Sequence, residues 1–172
     1  MTLYNKKNIY DVCVDGTFVT FLYKGTCQEA ANLRNCIKYN IFSYLINKIT
    51  FHQKQFKNEK TLEYLSLRIG QLVLNNDGVN DDSKGTLNIT GPIMVTANHI
   101  QGLSFVYDSP IVYLNTGQTL TCDLYVEKNC AKVNEKWNPV SCITFSNDDL
   151  DIFNFHFELV GMIDMDGILE QL

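Results

Sequence analysis

Val126-Glu-Lys-Asn-Cys-Ala-Lys-Val-Asn-Glu-Lys-Trp-Asn-Pro-Val140 is the most informative stretch of the chain. It holds the only tryptophan, Trp137, and the last of three prolines, Pro139, in a polar, lysine-rich loop directly after a β-patterned segment. No rule of strand or helix formation demands this string, so its value is as an identifier. A surface loop with a packing tryptophan accounts for any single residue in it but not for the whole. Working outward, residues 86–128 upstream are strand-rich, with Leu87/Ile89, Ile93/Val95, Phe105/Tyr107, Ile111/Tyr113 and Leu120/Cys122/Leu124/Val126 as alternating pairs and Gly-Pro, Ser-Pro and Thr-Gly turns between them. Downstream, Phe153, Phe155, Phe157 and Leu159 alternate with Asn154, His156 and Glu158, which predicts a half-buried strand over 151–160.

The first half alternates strand and helix signals. Val12 and Val14, the turn Asp15-Gly16, then Val19, Phe21 and Tyr23 predict a hairpin over 9–23. Thr26-Cys-Gln-Glu29 fits a capping box, in which hydroxyl and carboxylate satisfy free amides at a helix start. From there Ala30, Leu33, Ile37, Ile41, Tyr44 and Leu45 recur at helical spacing, predicting one helix of about 20 residues to Asn47. Residues 48–57, with Ile49, Phe51 and Phe56, read as a short strand, and Leu62, Leu65, Ile69 and Leu72 as a second helix. Residues 75–85 read as a solvated connector, Asp148, Asp149 and Asp151 as a solvated turn, and Met165–Leu172 as the start of a helix. The fold class is α+β, with mixed or antiparallel sheet.

With 172 residues, 45% hydrophobic and 19% charged, the chain suits one compact domain or two small intertwined ones with an ordinary globular core. A net charge of −5 argues against a surface that is itself a nucleic-acid footprint, which needs clustered Lys and Arg. No apolar run approaches the roughly 20 residues of a membrane span, and the start lacks the apolar core of a secretory signal. Six cysteines lack the C-x-x-C spacing of a zinc ribbon or iron–sulfur motif, so no cofactor is expected; their even count permits three disulfides, but without an export signal reduced thiols are favoured. The three histidines are isolated, and no motif supports pairing His99 with Cys130 as a nucleophile. Abundant Asn and Lys suit an A/T-rich genome of viral, plasmid or parasite type.

Three blocks resemble the assembly subunit shared by multisubunit RNA polymerases: the bacterial α amino-terminal domain, its archaeal counterpart and the eukaryotic third-largest subunit. Ala31-Asn-Leu-Arg-Asn35 is similar to the family's A-N-x-L-R-R, with the Asn one position late and Asn35 for the second Arg. Glu63-Tyr-Leu-Ser-Leu-Arg68-Ile-Gly70-Gln-Leu-Val-Leu74 resembles E-Y-L-A-H-R-I-G-L-I-P-L, with Leu67 for His and Val73 for Pro. The third block runs from Gly91-Pro92 through Val95-Thr-Ala-Asn-His-Ile100 and the Lys136-Trp137-x-Pro139-Val140 loop to Phe153-x-Phe-x-Phe-Glu158-x-Val160-Gly161.

The resemblance covers roughly residues 10–172. It implies an RNA polymerase α-like dimerisation fold, 1–50 plus 144–172, carrying an inserted strand-rich domain, 51–143. It also implies a non-catalytic subunit that pairs with a smaller α-like subunit, docks the two large catalytic subunits and meets DNA only through the assembled complex. Its location is intracellular, cytoplasmic rather than nuclear. The partner interface falls on Ala30, Leu33, Arg34, Ile37, Ile41, Arg68, Lys132, Lys136 and Trp137, and Leu33→Asp or Ile37→Asp is expected to abolish pairing while sparing the monomer. From the residues alone, the helix stripe fits an intramolecular core better than a partner face, a preference that the resemblance reverses, and Trp137 fits either a docking anchor or a cap on its own sheet. A binding module or virion structural protein without a polymerase is the alternative function.

Overall fold

A computed structural model of the chain describes residues 6–52, 59–75 and 78–172. It is α+β and mostly strand, in two compact units: Met1–Ser43 with Asn129–Leu172, and Tyr44–Lys128. The junctions expected from the sequence, 50/51 and 143/144, fall instead at 43/44 and 128/129. The chain passes from one unit to the other within two strands, β3 (Phe42–Phe51) and β7 (Thr119–Cys130).

The discontinuous unit is built on a four-stranded antiparallel sheet of β1 (Ile9–Asp15), β2 (Phe18–Lys24), β8 (Val140–Asp149) and β9 (Ile152–Leu159), in the order β1-β2-β9-β8. β1 (Ile9–Asp15) and β2 (Phe18–Lys24) form the expected hairpin, Asp15 facing Phe18 across Gly16-Thr17, where Gly16 takes the left-handed φ of +62°. α1 (Cys27–Tyr39) opens with the expected capping box: Thr26 N–H donates to Glu29 Oε2 at 2.7 Å and Glu29 N–H to Thr26 Oγ1 at 3.3 Å. These donors from Thr26 hold the Glu29 carboxyl below its ordinary pKa.

α1 ends at Tyr39, not at Asn47. Asn40 closes it, and Ile41, Ser43 and Leu45 are then buried at period 2. Ile41 and Leu45 are four apart, a spacing that serves either period, and the β-branched and aromatic run around them decides for strand.

β8 (Val140–Asp149) and β9 (Ile152–Leu159) complete the sheet. β9 buries Phe153, Phe155, Phe157 and Leu159, as its alternation requires. With Val19, Phe21 and Tyr23 they form one apolar face, covered by Ala30, Leu33 and Ile37 of α1 and Met165, Ile168 and Leu172 of α3 (Met165–Gln171). Phe155 stacks on Phe21 at 4.7 Å and on Phe145 at 5.3 Å. The Gln171 amide ties α3 down, accepting from Phe42 N–H at 2.7 Å and donating to Phe42 O at 3.1 Å.

β8 corrects the sequence reading, which began the last strand after a solvated Asp148–Asp151 turn. The strand runs to Asp149, and only Leu150 and Asp151 turn. A bulge hid it: Ser141 faces Glu158 and Thr144 faces His156, so β8 spends one extra residue and its apolar positions change parity from Val140 to Ile143 and Phe145. Cys142 in that bulge has φ +51°, and Asp11 in the bulge of β1 has φ +52°. Both edges of the sheet therefore carry a kink that blunts strand-to-strand aggregation. Because a side chain costs about 1–2 kcal/mol in left-handed backbone, Cys142→Gly is expected to stabilise the chain by about 1 kcal/mol in urea unfolding, with no such gain for Cys142→Ala.

The continuous unit contains α2 (Glu59–Gly70), a three-stranded sheet in the order β3-β7-β4 with β4 at Lys84–Thr90, and a hairpin of β5 (Ile93–Thr96) and β6 (Pro110–Leu114). β7 alternates strictly, sending Leu120, Cys122, Leu124 and Val126 into a core shared with Leu65, Ile69, Leu87, Val95 and Ile111. The expected Phe105/Tyr107 strand is not formed. Phe105 makes only an isolated bridge to Leu74, and Asp108 instead accepts from Asn98 N–H at 3.0 Å, closing a loop that ends at Pro110. Of the expected 48–57 strand, Phe56 lies outside the described residues, as do positions 76 and 77 of the expected connector. Among the described residues no helix is long and apolar enough to cross a membrane.

Candidate functional site

α1 turns its apolar stripe of Ala30, Leu33 and Ile37 inward and leaves the polar residues Arg34, Asn35 and Lys38 outside it. Beside them, bulged β8 and the turn Glu135–Trp137 leave an open groove of about 510 Å³, walled by Arg34, Lys38, Glu135, Asn138 and residues 140–144. The size is that of a ligand or side-chain pocket.

Arg34 is held in place. Its Nε and Nη2 both donate to Asn35 Oδ1, at 3.3 and 3.0 Å, and its guanidinium carbon sits 6.0 Å from the centre of the Phe145 ring. One edge of the planar fork is thus fixed, while its side chain stays on an exposed surface, the arrangement from which Arg takes a carboxylate bidentately. Lys38, one turn on, lies 4.9 Å from the Tyr39 ring centre and 3.9 Å from Glu135 Oε1. Glu135 is itself held by Asn138 Nδ2 at 3.1 Å. The Lys38–Glu135 pair is long and largely solvated, so it contributes little and exchanges readily for a better partner. Lys38 and Glu135 were missed in the sequence. The i, i+4 spacing of Lys38 from Arg34 was the available signal.

The predicted interface residues separate into three groups. Ala30, Leu33, Ile37 and Ile41 are fully buried against their own sheet, which corrects their assignment as partner contacts: the stripe is no wider than the sheet and α3 can cover. Trp137 is likewise core, 3% exposed, with Lys136 Nζ 4.1 Å from its ring centre and its carbonyl accepting from Ser43 Oγ at 3.1 Å. Its Nε1 is buried without a hydrogen-bond partner among the described residues. Arg34 and Lys132 stay at the surface, Lys132 N–H donating to Tyr39 O at 3.1 Å beside the groove. Arg68 belongs to the other unit, where Nη2 donates to Pro110 O at 2.9 Å and the guanidinium lies 5.7 Å from the Tyr64 ring centre, a brace from α2 to β6.

Among the described residues no group of three or more His, Cys, Asp and Glu side chains lies close enough to hold a metal ion. His99 Nδ1 accepts from Thr96 N–H at 3.0 Å and so closes a local turn, while Cys130 is buried in the other unit. Burial, followed by the Asp123 charge, pushes the Cys122 thiol up to about 12, far from nucleophilic.

No family model matches the chain, and no curated protein matches it significantly.

Proposed function

We propose that the chain is a non-catalytic assembly subunit of a multisubunit DNA-directed RNA polymerase, pairing with a smaller α-like subunit and docking the two large catalytic chains. The observation that carries this reading is the interrupted α+β unit. Residues 1–43 and 129–172 build one sheet-and-helix body, and a strand-rich body is inserted between them. The three sequence blocks fall in this order along the chain: the first on α1, the second on α2 and the four residues after it, and the third from β5 in the continuous unit to β9 in the discontinuous one. A scaffold also needs an exposed anchor rather than reactive groups, and Arg34 of the α1–β8 groove, hydrogen-bonded to Asn35, supplies one.

Since the helix stripe is internal, pairing falls to the exposed groups of the same unit: the groove, and the apolar side chains of Tyr39, Phe42 and Val133. DNA is met only through the assembled enzyme, and the protein works in the cytoplasm. Arg34→Glu tests the reading. The variant is expected to keep the wild-type melting temperature while recovery of the smaller α-like partner, and with it the large chains, falls about tenfold in co-purification. Unchanged recovery removes the groove from the interface.

A further inference from the structure

β8 is the terminal strand of the order β1-β2-β9-β8, so one side of it pairs with β9 and the other meets no strand among the described residues. The bulge at Cys142 blunts the first part of this edge, but Thr144, Phe145, Ser146 and Asn147 then face His156, Phe155, Asn154 and Phe153 in unbroken register. Among the described residues, no backbone hydrogen bond outside the β8–β9 ladder engages Thr144 or Phe145. An edge of this kind is a row of backbone donors and acceptors at strand spacing. An extended polypeptide matches that row, whereas a helix has already spent its own backbone groups internally.

The same edge borders the α1–β8 groove, whose walls include Thr144 of β8 and Arg34 and Lys38 of α1. Phe145 lies on the core face of the sheet, stacked on Phe155, and the Arg34 guanidinium carbon is 6.0 Å from its ring centre. In an added strand, the side chain directly opposite Phe145 stands about 4.5–5.5 Å from it on that face, within reach of Arg34. The charged walls of the groove, Arg34, Lys38 and Glu135, leave one positive charge unmatched. That charge is on Arg34, which among the described residues bonds the neutral Asn35 amide and no carboxylate, whereas Lys38 has Glu135.

We propose that an extended segment of a partner polypeptide adds to β8 as a fifth strand along Thr144–Asn147, with an Asp or Glu opposite Phe145 seated on Arg34. The free backbone edge selects an extended chain, and the unmatched guanidinium selects the carboxylate. The partner is a different chain, because two β8 edges pairing with each other would bring Thr-Phe-Ser-Asn to the groove, which has no carboxylate. The inference rests on the assignment of this groove to the partner interface and names what fills it.

Hydrogen exchange of the β8 amides tests it, measured on the isolated chain and on the tagged chain with the partners it retains from its native source. Exchange within 144–147 is expected to slow about tenfold or more in the complex, while β1, at the other edge of the sheet, exchanges alike in both. Arg34→Gln, a change at an exposed position, is expected to keep the wild-type melting temperature and to restore fast exchange at β8. A recovered complex whose β8 amides exchange as in the isolated chain, the result when a helix or loop fills the groove, overturns the inference and leaves the polymerase reading standing. Protection of β8 in a dimer of the isolated chain overturns it in favour of a second copy. Recovery of no partner removes both the inference and the reading beneath it.

Discussion

Leu33→Asp is expected to unfold the discontinuous unit rather than release a partner from an intact one. Leu33 is fully buried on α1 within the cluster that contains Phe155 and Ile168. The change removes a leucine side chain from that core, about 2–5 kcal/mol for truncation alone, and adds a carboxyl group with no partner, which costs roughly 1–3 kcal/mol more even if it stays protonated. Together these approach the whole stability of a small domain, about 5–15 kcal/mol. Urea unfolding followed by circular dichroism should show the loss of a cooperative transition, with Arg34→Glu alongside unfolding within about 0.5 kcal/mol of wild type, as an exposed position should. A Leu33→Asp protein with a normal transition and a lost partner would return the stripe to the interface.

Phe155→Ala carries the next largest effect, a loss of about 4–5 kcal/mol. Its ring is fully buried at the centre of an aromatic cluster, stacked on Phe21 and Phe145 and edge-on to Tyr23 at 6.2 Å. Truncating a core phenylalanine costs about 3–5 kcal/mol, and each aromatic pair adds roughly 0.5–1.5 kcal/mol beyond burial. Phe145→Ala, at the half-buried edge strand, should cost clearly less. Equal costs for the two in urea unfolding would mean that β8, not β9, centres the core.

Where the alternation is long and unbroken, the fold was legible in the residues. β7 and β9 show it, as do the Asp15-Gly16 hairpin and the Thr26–Glu29 box, because each depends on near neighbours in the chain. Two elements misled for physical reasons. Ile41 and Leu45 satisfy helical and strand spacing alike, which stretched α1 into β3. The bulge at Cys142 shifts parity inside β8, so the strand reads as a loop until β9 supplies its register. The groove was only half visible: Arg34 stood out in the sequence, but what faces it from Glu135 and Asn138 depends on how the loop after β7 folds back, and no local pattern encodes that. The same long-range burial turned Trp137 from a candidate anchor into core.

The central claim is membership of a polymerase, and affinity purification of the tagged chain from its native source, with mass spectrometry and a nonspecific transcription assay on the eluate, tests it most directly. The predicted result is stoichiometric recovery of two very large chains and one small partner, with RNA synthesis in the same fraction. Recovery of the chain alone, monomeric and inactive, would contradict it.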